Sequence, residues 1–255
     1  MSAIVDHYFE TLIELLRRVR DTQGASIGRA AEACARSIAS DKLVFTFGAD
    51  YGALPAIEMF PRTGTIVGFR PIVESTMIAF HRVWGDMGAR QQRFVEAAEG
   101  YGKAILSSHQ LDPADSIIVF SHLGVSAVIL DVALGAREKG LTVIGVTSLA
   151  HSLSSPSHHS SGTRLFEVAD VVIDTGASLA DASIRIEGLD APVGAHSTNI
   201  AIGIAHAIVA ATAEKLVRRG VQPFVMLNPD AADRESANAA NDHNYDELWR
   251  RLRAR

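Results

Sequence analysis

Small polar residues follow the apolar run 116–120 at short intervals: Ser121, Gly124 and Ser126 precede a run of helical composition. Backbone N–H groups at the start of a helix have no partner within the helix, and serine hydroxyls beside them can complete a site for an anion such as phosphate. The sequence therefore predicts an anion site here. The same residues also suit a plain N-cap and a glycine turn, and this alternative stays open from the local pattern alone.

The elements that position these residues follow the pattern of an α/β protein. Short apolar runs, typical of buried strands, alternate with helical runs, so we expect a parallel sheet with helices on both faces. The predicted strands are 43–47, 65–72, 116–120, 141–146 and 169–174. The predicted helices are 3–20, 27–40, 53–62, 91–108, 127–139 and 197–218, and a short basic helix ends the chain.

The composition is that of a globular protein: 255 residues, 47% hydrophobic and 21% charged, with a formal net charge of -5. That charge gives no basic surface for nucleic acid. The N-terminus lacks the features of a signal peptide, and no apolar run has the length of a membrane span, so we expect a cytoplasmic protein without membrane contact. The single cysteine, Cys34, has no partner for an internal disulfide and is expected to be a buried small side chain.

We expect one domain, residues 1–255. It divides into an N-terminal helical extension (1–40), an α/β core (41–222) and a C-terminal tail with a short helix (223–255). The sequence shows no internal repeat and no linker of the kind that separates domains.

The interval 150–162 is rich in histidine and serine: His151, His158 and His159 stand among six serines. Histidines at such spacing can bind a metal. However, no cysteine accompanies them and the nearest carboxylate is Glu167, so a polar loop at the edge of the site is the better interpretation. We predict no metal and no organic cofactor.

Several landmarks in chain order together resemble the SIS (sugar isomerase) domain family, in particular a bacterial branch of about this length labelled phosphoheptose-isomerase-like. The landmarks are Phe47-Gly48, residues 71–74, 121–126, 146–152, 158–165, 186–189, 193–194, 197–198 and 242–244. The resemblance covers essentially the whole chain.

This resemblance implies a three-layer fold with a five-stranded parallel sheet, a homodimer or homotetramer, and a site at the strand C-termini near the dimer interface for a phosphorylated sugar. The residues it places in ligand binding are Gly48, Asp50, Ser121, His122, Gly124, Ser126, Thr147, Ser148, His158, His159, Ser197 and Thr198. Of these, Ser121, Ser126, Thr147 and Ser148 are the expected anchor of the anion.

The chain departs from the family pattern at two turns. Leu123 stands where the family has the middle serine of its phosphate loop, and Asp50 lies in a first turn that normally carries a hydroxyl. A carboxylate about 4 Å from a phosphate opposes binding by roughly 4 kcal/mol at an effective dielectric of about 20. Either Asp50 turns away or binds sugar hydroxyls, or the ligand carries no phosphate.

Isomerisation of an aldose to a ketose moves a proton between neighbouring carbons, so it needs a base, proton donors for the oxygens and an anchor. Glu74 is the first candidate base and Glu58 the second. His196 and His243 are candidate proton carriers because imidazole titrates near neutrality, and by analogy with the family His243 would act across the interface. Structural roles compete: Glu74 as a capping or ion-paired carboxylate, and His243 as a solvated residue.

Two further classes of function remain from the sequence. A sugar-phosphate binding or sensing module without turnover fits the missing hydroxyls, and a purely structural dimer retains the fold alone. The leading prediction is a sugar (phosphate) isomerase.

Overall fold

The predicted apolar runs pair as one parallel sheet in the computed structural model, which describes residues 3–78, 88–230 and 233–254. The strands are β1 (Val44–Gly48), β2 (Phe69–Pro71), β3 (Ser116–Phe120), β4 (Thr142–Thr147) and β5 (Val171–Asp174). Their order in the sheet is β2-β1-β3-β4-β5, and every pairing is parallel. A small antiparallel pair, β6 (Ala182–Ile184) and β7 (Val193–Ala195), follows the sheet and was not predicted.

Helices cover both faces of this sheet, which confirms the predicted α/β architecture. They are α1 (Ala3–Ala39), α2 (Ala53–Glu58), α3 (Gly88–Glu96), α4 (Tyr101–Ser107), α5 (Ala127–Glu138), α6 (Leu149–Ser154), α7 (Leu165–Val168), α8 (Ser197–Arg218) and α9 (Arg234–Arg253). Two single 3₁₀ turns, Asp50–Gly52 and Ser75–Met77, follow β1 and β2.

Alternation along the strands divides the core into two layers. Val44 and Ile118 pack on one face with α1, α2 and α8, while Phe45 and Ile117 pack on the other with α4, α5 and α7. All four side chains are fully buried. Burying an apolar side chain of this size contributes about 1.5–3 kcal/mol, so the two layers hold the strand ends, and the loops that follow them, in fixed positions.

The N-terminal region is one helix, and the prediction of separate helices at 3–20 and 27–40 was wrong. The residues between them contain Gly24 and no proline. A glycine inside a helix costs only about 1 kcal/mol. Packing of α1 along α8 and β5 offsets that cost, and the Gln23 side-chain oxygen accepts a hydrogen bond of 3.0 Å from the backbone N–H of Asp174.

The predicted helix 91–108 is divided into α3 and α4. Gly100 adopts φ 92° between them. The buried carboxylate of Asp131 accepts hydrogen bonds from the N–H groups of Gly100 and Gly102, at 2.6 and 3.2 Å. A distant tertiary partner therefore sets this boundary, and the local composition could not show it.

Other boundaries also moved. The helix predicted at 53–62 ends at Glu58, and the strand predicted at 65–72 is reduced to Phe69–Pro71 after Gly68, which has φ 128°. The C-terminal helix begins at Arg234 and is much longer than predicted, because Asp233 caps it by accepting from the N–H of Ser236 at 3.1 Å.

Helix α8 is long and apolar enough to span a membrane by length and composition alone. In this fold, 44% of its most apolar window is buried inside the protein. Its apolar residues Ile200, Ile204 and Ile208 are buried in the core layer that it shares with α1. The place of α8 in the fold accounts for its composition.

Candidate functional site

The carboxyl ends of β1 and β3 form a crevice, here called the β1–β3 crevice. It lies at the switch point of the strand order, where parallel α/β sheets bind ligands. A Cβ at Gly48 would lie 2.0 Å from the carbonyl oxygen of Gly52, and a Cβ at Gly52 would lie 2.6 Å from that of Phe120. Glycine at both positions therefore lets the first turn pack directly on the end of β3.

A cavity of about 50 Å³ occupies this crevice. Its walls include Tyr51, Gly52, Ser121, His122, Ser197 and Thr198. Four of the residues predicted for ligand binding, Ser121, His122, Ser197 and Thr198, thus meet at one place, although they come from two distant segments of the chain.

The loop after β3 carries a buried hydroxyl without a partner. Ser126 is the N-cap of α5, but its side chain makes no capping bond, and its Oγ is buried with no hydrogen-bond partner in the described part of the chain. A buried polar group without a partner costs about 1–3 kcal/mol. The hydroxyl lies at the N-terminus of a 12-residue helix, where an anion is favoured.

Ser121 and Gly124 shape the same loop. The Oγ of Ser121 accepts a hydrogen bond of 3.0 Å from the N–H of Gly124, which leaves the hydroxyl hydrogen free to donate. Gly124 has φ 67°, and a Cβ there would lie 2.7 Å from Ser152 Oγ and 2.8 Å from Thr147 Oγ1. Only glycine fits this position without strain.

Thr147 and Ser148 lie at the same edge of the sheet, and both hydroxyl groups bond to neighbouring loops. Thr147 Oγ1 donates to the carbonyl of His122 at 3.2 Å, and Ser148 Oγ donates to that of Ala177 at 2.8 Å. Ser148 also caps α6 by accepting from the N–H of His151 at 3.3 Å. In this geometry the two residues position the loops around the crevice.

Two histidines form a pair beside the crevice. The rings of His122 and His151 meet edge to face with centroids 4.8 Å apart. Both ring nitrogens of His122, and Nδ1 of His151, are buried without a hydrogen bond of ordinary geometry in the described residues. Burial lowers the pKa of each imidazole, against the opposing charge of Asp181. Both rings are therefore neutral near pH 7 and can accept a proton.

Asp181 holds the N-terminus of α8. It adopts φ 58°, and its carboxylate accepts from the N–H groups of His196 and Ser197 at 3.1 and 2.7 Å and from Ser197 Oγ at 2.7 Å. Burial opposes its charge, but the hydrogen bonds from Ser197 outweigh burial and hold the pKa of Asp181 below its ordinary value. The result is a fixed negative charge close to the histidine pair.

His196 is 1% exposed and stacks on Tyr8 of α1, with ring centroids 4.6 Å apart. Its Nε2 is buried without a partner in the described residues, while Nδ1 lies 3.4 Å from the carbonyl oxygen of Asp181. A second cavity of about 330 Å³ adjoins this ring, between α1, the loop after β5 and the β6–β7 pair. Asp181, Ser183 and His196 are among the polar residues that line it.

Asp50 lies in the first turn with φ 53° and its Oδ1 is buried without a partner in the described residues. Burial raises the pKa of Asp50, the charge of Glu96 adds to the rise, and Arg93 acts in the opposite direction.

The two predicted carboxylate bases lie outside the crevice wall. Glu74 follows β2, where its side chain accepts from Thr76 Oγ1 at 3.2 Å. Strands are spaced by about 4.8 Å, so the ends of β2 and β3 are about 10 Å apart. Glu58 pairs with Arg62 and, at 3.2 Å, with His206. Because His206 follows Ala201, a crevice residue of α8, by five residues, the partner of Glu58 lies about 7.5 Å along the helix from the crevice.

The remaining predicted histidines have different surroundings. His158 is exposed, and its backbone N–H donates to the carbonyl of Val125 at 2.9 Å. This bond holds the histidine-rich loop 150–162 against the loop 121–126 after β3. His159 is buried, with Nδ1 2.8 Å from Ser161 Oγ and Nε2 3.4 Å from Asp131 Oδ1. His159 therefore anchors the loop to α5.

His243 is exposed on α9 with its ring against Phe224. The end of α9 reaches the residues before β1, since Arg251 donates to the carbonyl of Ile38 at 3.0 Å. Within one protomer, α9 thus packs at the amino-terminal end of the sheet. A role for His243 across an interface stays a prediction.

Sequence reasoning missed Asp181 and Tyr8 as parts of the site. Asp181 contacts residues 15 and 16 positions later, and Tyr8 donates to the carbonyl of Ala195 from 187 positions away. No local motif marks either residue. Within the described residues no three His, Cys, Asp or Glu side chains are grouped so as to hold a metal ion.

The fold is a parallel α/β sheet with a crevice at its switch point, the place where sheets of this class bind ligands. The SIS domain model matches residues 7–148, more than half of the chain, and the chain belongs to the SIS domain family. This confirms the resemblance drawn from the landmarks in the sequence.

Curated relatives extend over nearly the whole chain. A UPF0309 protein of Shouchella clausii is 32% identical over 231 residues, covering 90% of this chain and 92% of the relative. A UPF0309 protein of Streptomyces griseus is 32% identical over 222 residues, covering 87% of each chain.

Solved structures share the fold at low sequence identity. The phosphoheptose isomerase GmhA from Neisseria gonorrhoeae has a TM-score of 0.55 at 16% identity, covering 82% of this chain and 97% of the other. The Vibrio vulnificus NanR protein complexed with ManNAc-6P has a TM-score of 0.51 at 12% identity, covering 96% of this chain and 70% of the other. These likenesses establish the SIS fold.

Proposed function

We propose that this protein binds a phosphorylated or otherwise anionic sugar at the β1–β3 crevice and isomerises it between aldose and ketose by proton transfer. The observation that carries the proposal is the buried, unpartnered hydroxyl of Ser126 at the N-terminus of α5. A phosphate oxygen placed there would accept from this hydroxyl and from the free N–H groups of the helix.

The size of the two cavities supports a ligand with two chemically different ends. The crevice cavity of about 50 Å³, lined by Ser121 of the loop that leads to Ser126, has room for an anionic group, and the neighbouring cavity of about 330 Å³ has room for a polyhydroxylated chain. Unpartnered polar atoms of Ser183 and His196 in the second wall would bind sugar hydroxyls. A bound sugar phosphate is also what NanR holds in its complex.

Proton transfer requires a neutral base near the sugar carbons. We assign this role to His122, because its buried ring nitrogens make no hydrogen bond of ordinary geometry in the described residues and burial keeps it neutral near pH 7. Asp181, whose charge opposes the lowering of the His122 pKa, would stabilise the protonated ring. Glu74, three residues beyond the end of β2, is the competing base.

A thermal-shift series with sugar phosphates tests the binding step. Saturating ligand should raise the melting temperature of the wild type, and Ser126→Ala should lose most of that rise. Ser107→Ala, whose Oγ donates to the carbonyl of Ala104 on the exposed surface, is the matched control and should respond like the wild type. Equal stabilisation of wild type and Ser126→Ala would show that the ligand's anionic group does not bind at Ser126.

Exchange of the sugar's carbon-bound hydrogen with deuterated solvent tests catalysis. The exchange seen with wild type should fall at least 100-fold in His122→Asn while thermal-shift binding is retained. Glu74→Gln should keep most of the exchange. Loss of exchange in Glu74→Gln but not in His122→Asn would identify Glu74 as the base. Unchanged exchange in both variants would exclude both residues as the base.

A second candidate function is sugar-phosphate binding without turnover. Asp50 beside the anion site and Leu123 in place of a serine favour it, because both weaken a standard phosphate loop. Tight binding of a sugar phosphate with no solvent exchange in the wild type would support this function. Asp50→Ser should then strengthen binding of dianionic ligands more than that of neutral sugars.

We also propose that the protein is a homodimer, with a tetramer as the larger alternative. The N-terminal half of α1 exposes Ile4, Val5, Phe9, Ile13 and Leu16, each more than a third exposed. They follow helical spacing, so they form one apolar stripe that suits a second copy of the same helix. Tyr8 lies on the same segment against His196, which would bring the interface close to the site.

A further inference from the structure

A large open groove lies at the amino-terminal edge of the sheet, opposite the crevice. It has a volume of about 810 Å³ and is here called the amino-edge groove. α1, the turn before β4 and the residue before β5 form its sides, with Arg29, Arg36, Arg137, Thr142, Asp170 and Lys215 among the lining residues. A β-strand of five residues is about 16 Å long, so the groove is separated from the crevice by the depth of the sheet.

Helix α1 presents one stripe to this groove: Ala25, Gly28, Glu32 and Arg36 recur every three or four residues. Gly28 is in the interior of the helix, and a Cβ there would have no atom within 4 Å. Packing therefore does not require glycine, although glycine in a helix costs about 1 kcal/mol relative to alanine. Its small size keeps the floor of the groove wide.

Positive charge in the groove is not balanced by the protein. Arg29, Arg36 and Arg137 form no ion pair within residues 3–78, 88–230 and 233–254. The carboxylate of Glu32 is already paired with Arg219 and, at 3.5 Å, with Lys215.

The remaining acid of the groove, Asp170, accepts from the N–H of Val143 at 2.8 Å. Arg29 donates to Ser26 Oγ at 3.0 Å and Arg137 to the carbonyl of Val168 at 3.3 Å, so both bond only to neutral groups. Among the described residues, the groove thus holds three guanidinium groups without an ion pair and one carboxylate outside the Glu32 pairs. In a chain of formal net charge -5, this is a local excess of positive charge.

We propose that the amino-edge groove binds a small oligophosphate of nucleotide size. Guanidinium groups bind phosphate oxygens through paired N–H donors, and several arginines around one groove suit successive phosphates. A volume of about 810 Å³ matches sites for ligands of this size. This site is independent of the sugar site in the crevice.

Calorimetric titration of the full chain with ATP at constant ionic strength tests the proposal. The wild type should bind one ATP per chain with a sub-millimolar dissociation constant, and adenosine should not bind. Arg36→Gln should weaken ATP binding at least tenfold, and Arg29→Gln combined with Arg36→Gln should abolish it. Arg17→Gln, on the exposed surface of the same helix and outside the groove, is the matched charge control and should bind like the wild type.

The outcomes separate this site from the crevice. Ser126→Ala should bind ATP like the wild type even if it loses sugar-phosphate binding. The proposal would be overturned if the wild type did not bind ATP or bound adenosine as tightly as ATP. It would also be overturned if Arg17→Gln lost as much ATP binding as the groove variants, or if only Ser126→Ala lost it. Circular dichroism of each variant at the titration temperature would confirm that the arginine variants remain folded.

Discussion

The buried hydroxyl of Ser126 lowers the stability of the protein when no ligand is bound. We expect Ser126→Ala to raise the free energy of unfolding by about 1 kcal/mol, because the variant removes a buried hydroxyl that has no partner. Urea denaturation without ligand would measure this gain, which in a chain of this size corresponds to about 2–4 °C in melting temperature. A loss of stability would mean that the hydroxyl has a structural partner, and the argument for a ligand would fail.

The lowered pKa of His122 makes the free energy of unfolding depend on pH. Burial holds its folded-state pKa below the ordinary value of about 6.5, so the unfolded chain binds the proton more strongly. The stability tied to neutral His122 is complete above about pH 6.5 and is lost as the pH falls toward the folded-state pKa. Free energies of unfolding at pH 7.5 and 5.5 should therefore differ less in His122→Asn than in the wild type. Identical pH dependence in the two proteins would contradict this assignment.

Residues with a local signature could be predicted, and residues joined by the fold could not. Ser121, Gly124 and Ser126 stand within six positions of one another after a strand, so their spacing alone indicated the loop. Asp181 acts on the start of α8 through a turn with positive φ that no sequence pattern reveals. Leu123 lacks the expected hydroxyl, and its backbone carbonyl accepts from Ser152 Oγ at 2.6 Å.

At the scale of the elements, the loop after β3 and the histidine-rich loop 150–162 depend on glycine for different reasons. Gly124 and Gly162 both have positive φ, at 67° and 69°, but only Gly124 has atoms within 3 Å of a Cβ. Gly162→Ala should cost about 1–2 kcal/mol from backbone strain alone. Gly124→Ala should cost about 1–3 kcal/mol more from crowding against Thr147 and Ser152. Urea denaturation compares the two variants, and equal losses would show that the loop adjusts freely.

The strands could be predicted more closely than the helix boundaries. Buried apolar runs such as 43–47 and 116–120 have a strong signal, because both faces of a parallel strand are covered. Helix ends depended on distant partners: Asp131 divides α3 from α4, and packing on α8 carries α1 through Gly24. The β6–β7 pair lacks an apolar run and gave no sequence signal.

At the scale of the whole molecule, the apolar stripe on α1 predicts self-association. Phe9→Glu should convert a dimer into a monomer, because it places a charge in the centre of the stripe where Phe9 is 56% exposed. Val217→Glu is a matched control, since Val217 is 56% exposed on α8 outside the stripe. Sedimentation velocity would measure the masses. A monomeric wild type, or a Phe9→Glu protein that remains dimeric, would contradict the proposed interface.

The 37 residues of α1 form one rod about 55 Å long. One end carries Tyr8, stacked on His196, and the other carries Arg36 in the amino-edge groove. Between these ends, Gly24 and Gly28 are the only glycines, and there is no proline, so little in the sequence favours a kink. One helix therefore contacts both edges of the sheet, and a tilt of α1 at Arg36 would reach Tyr8 only by moving the buried residues that α1 packs against α8.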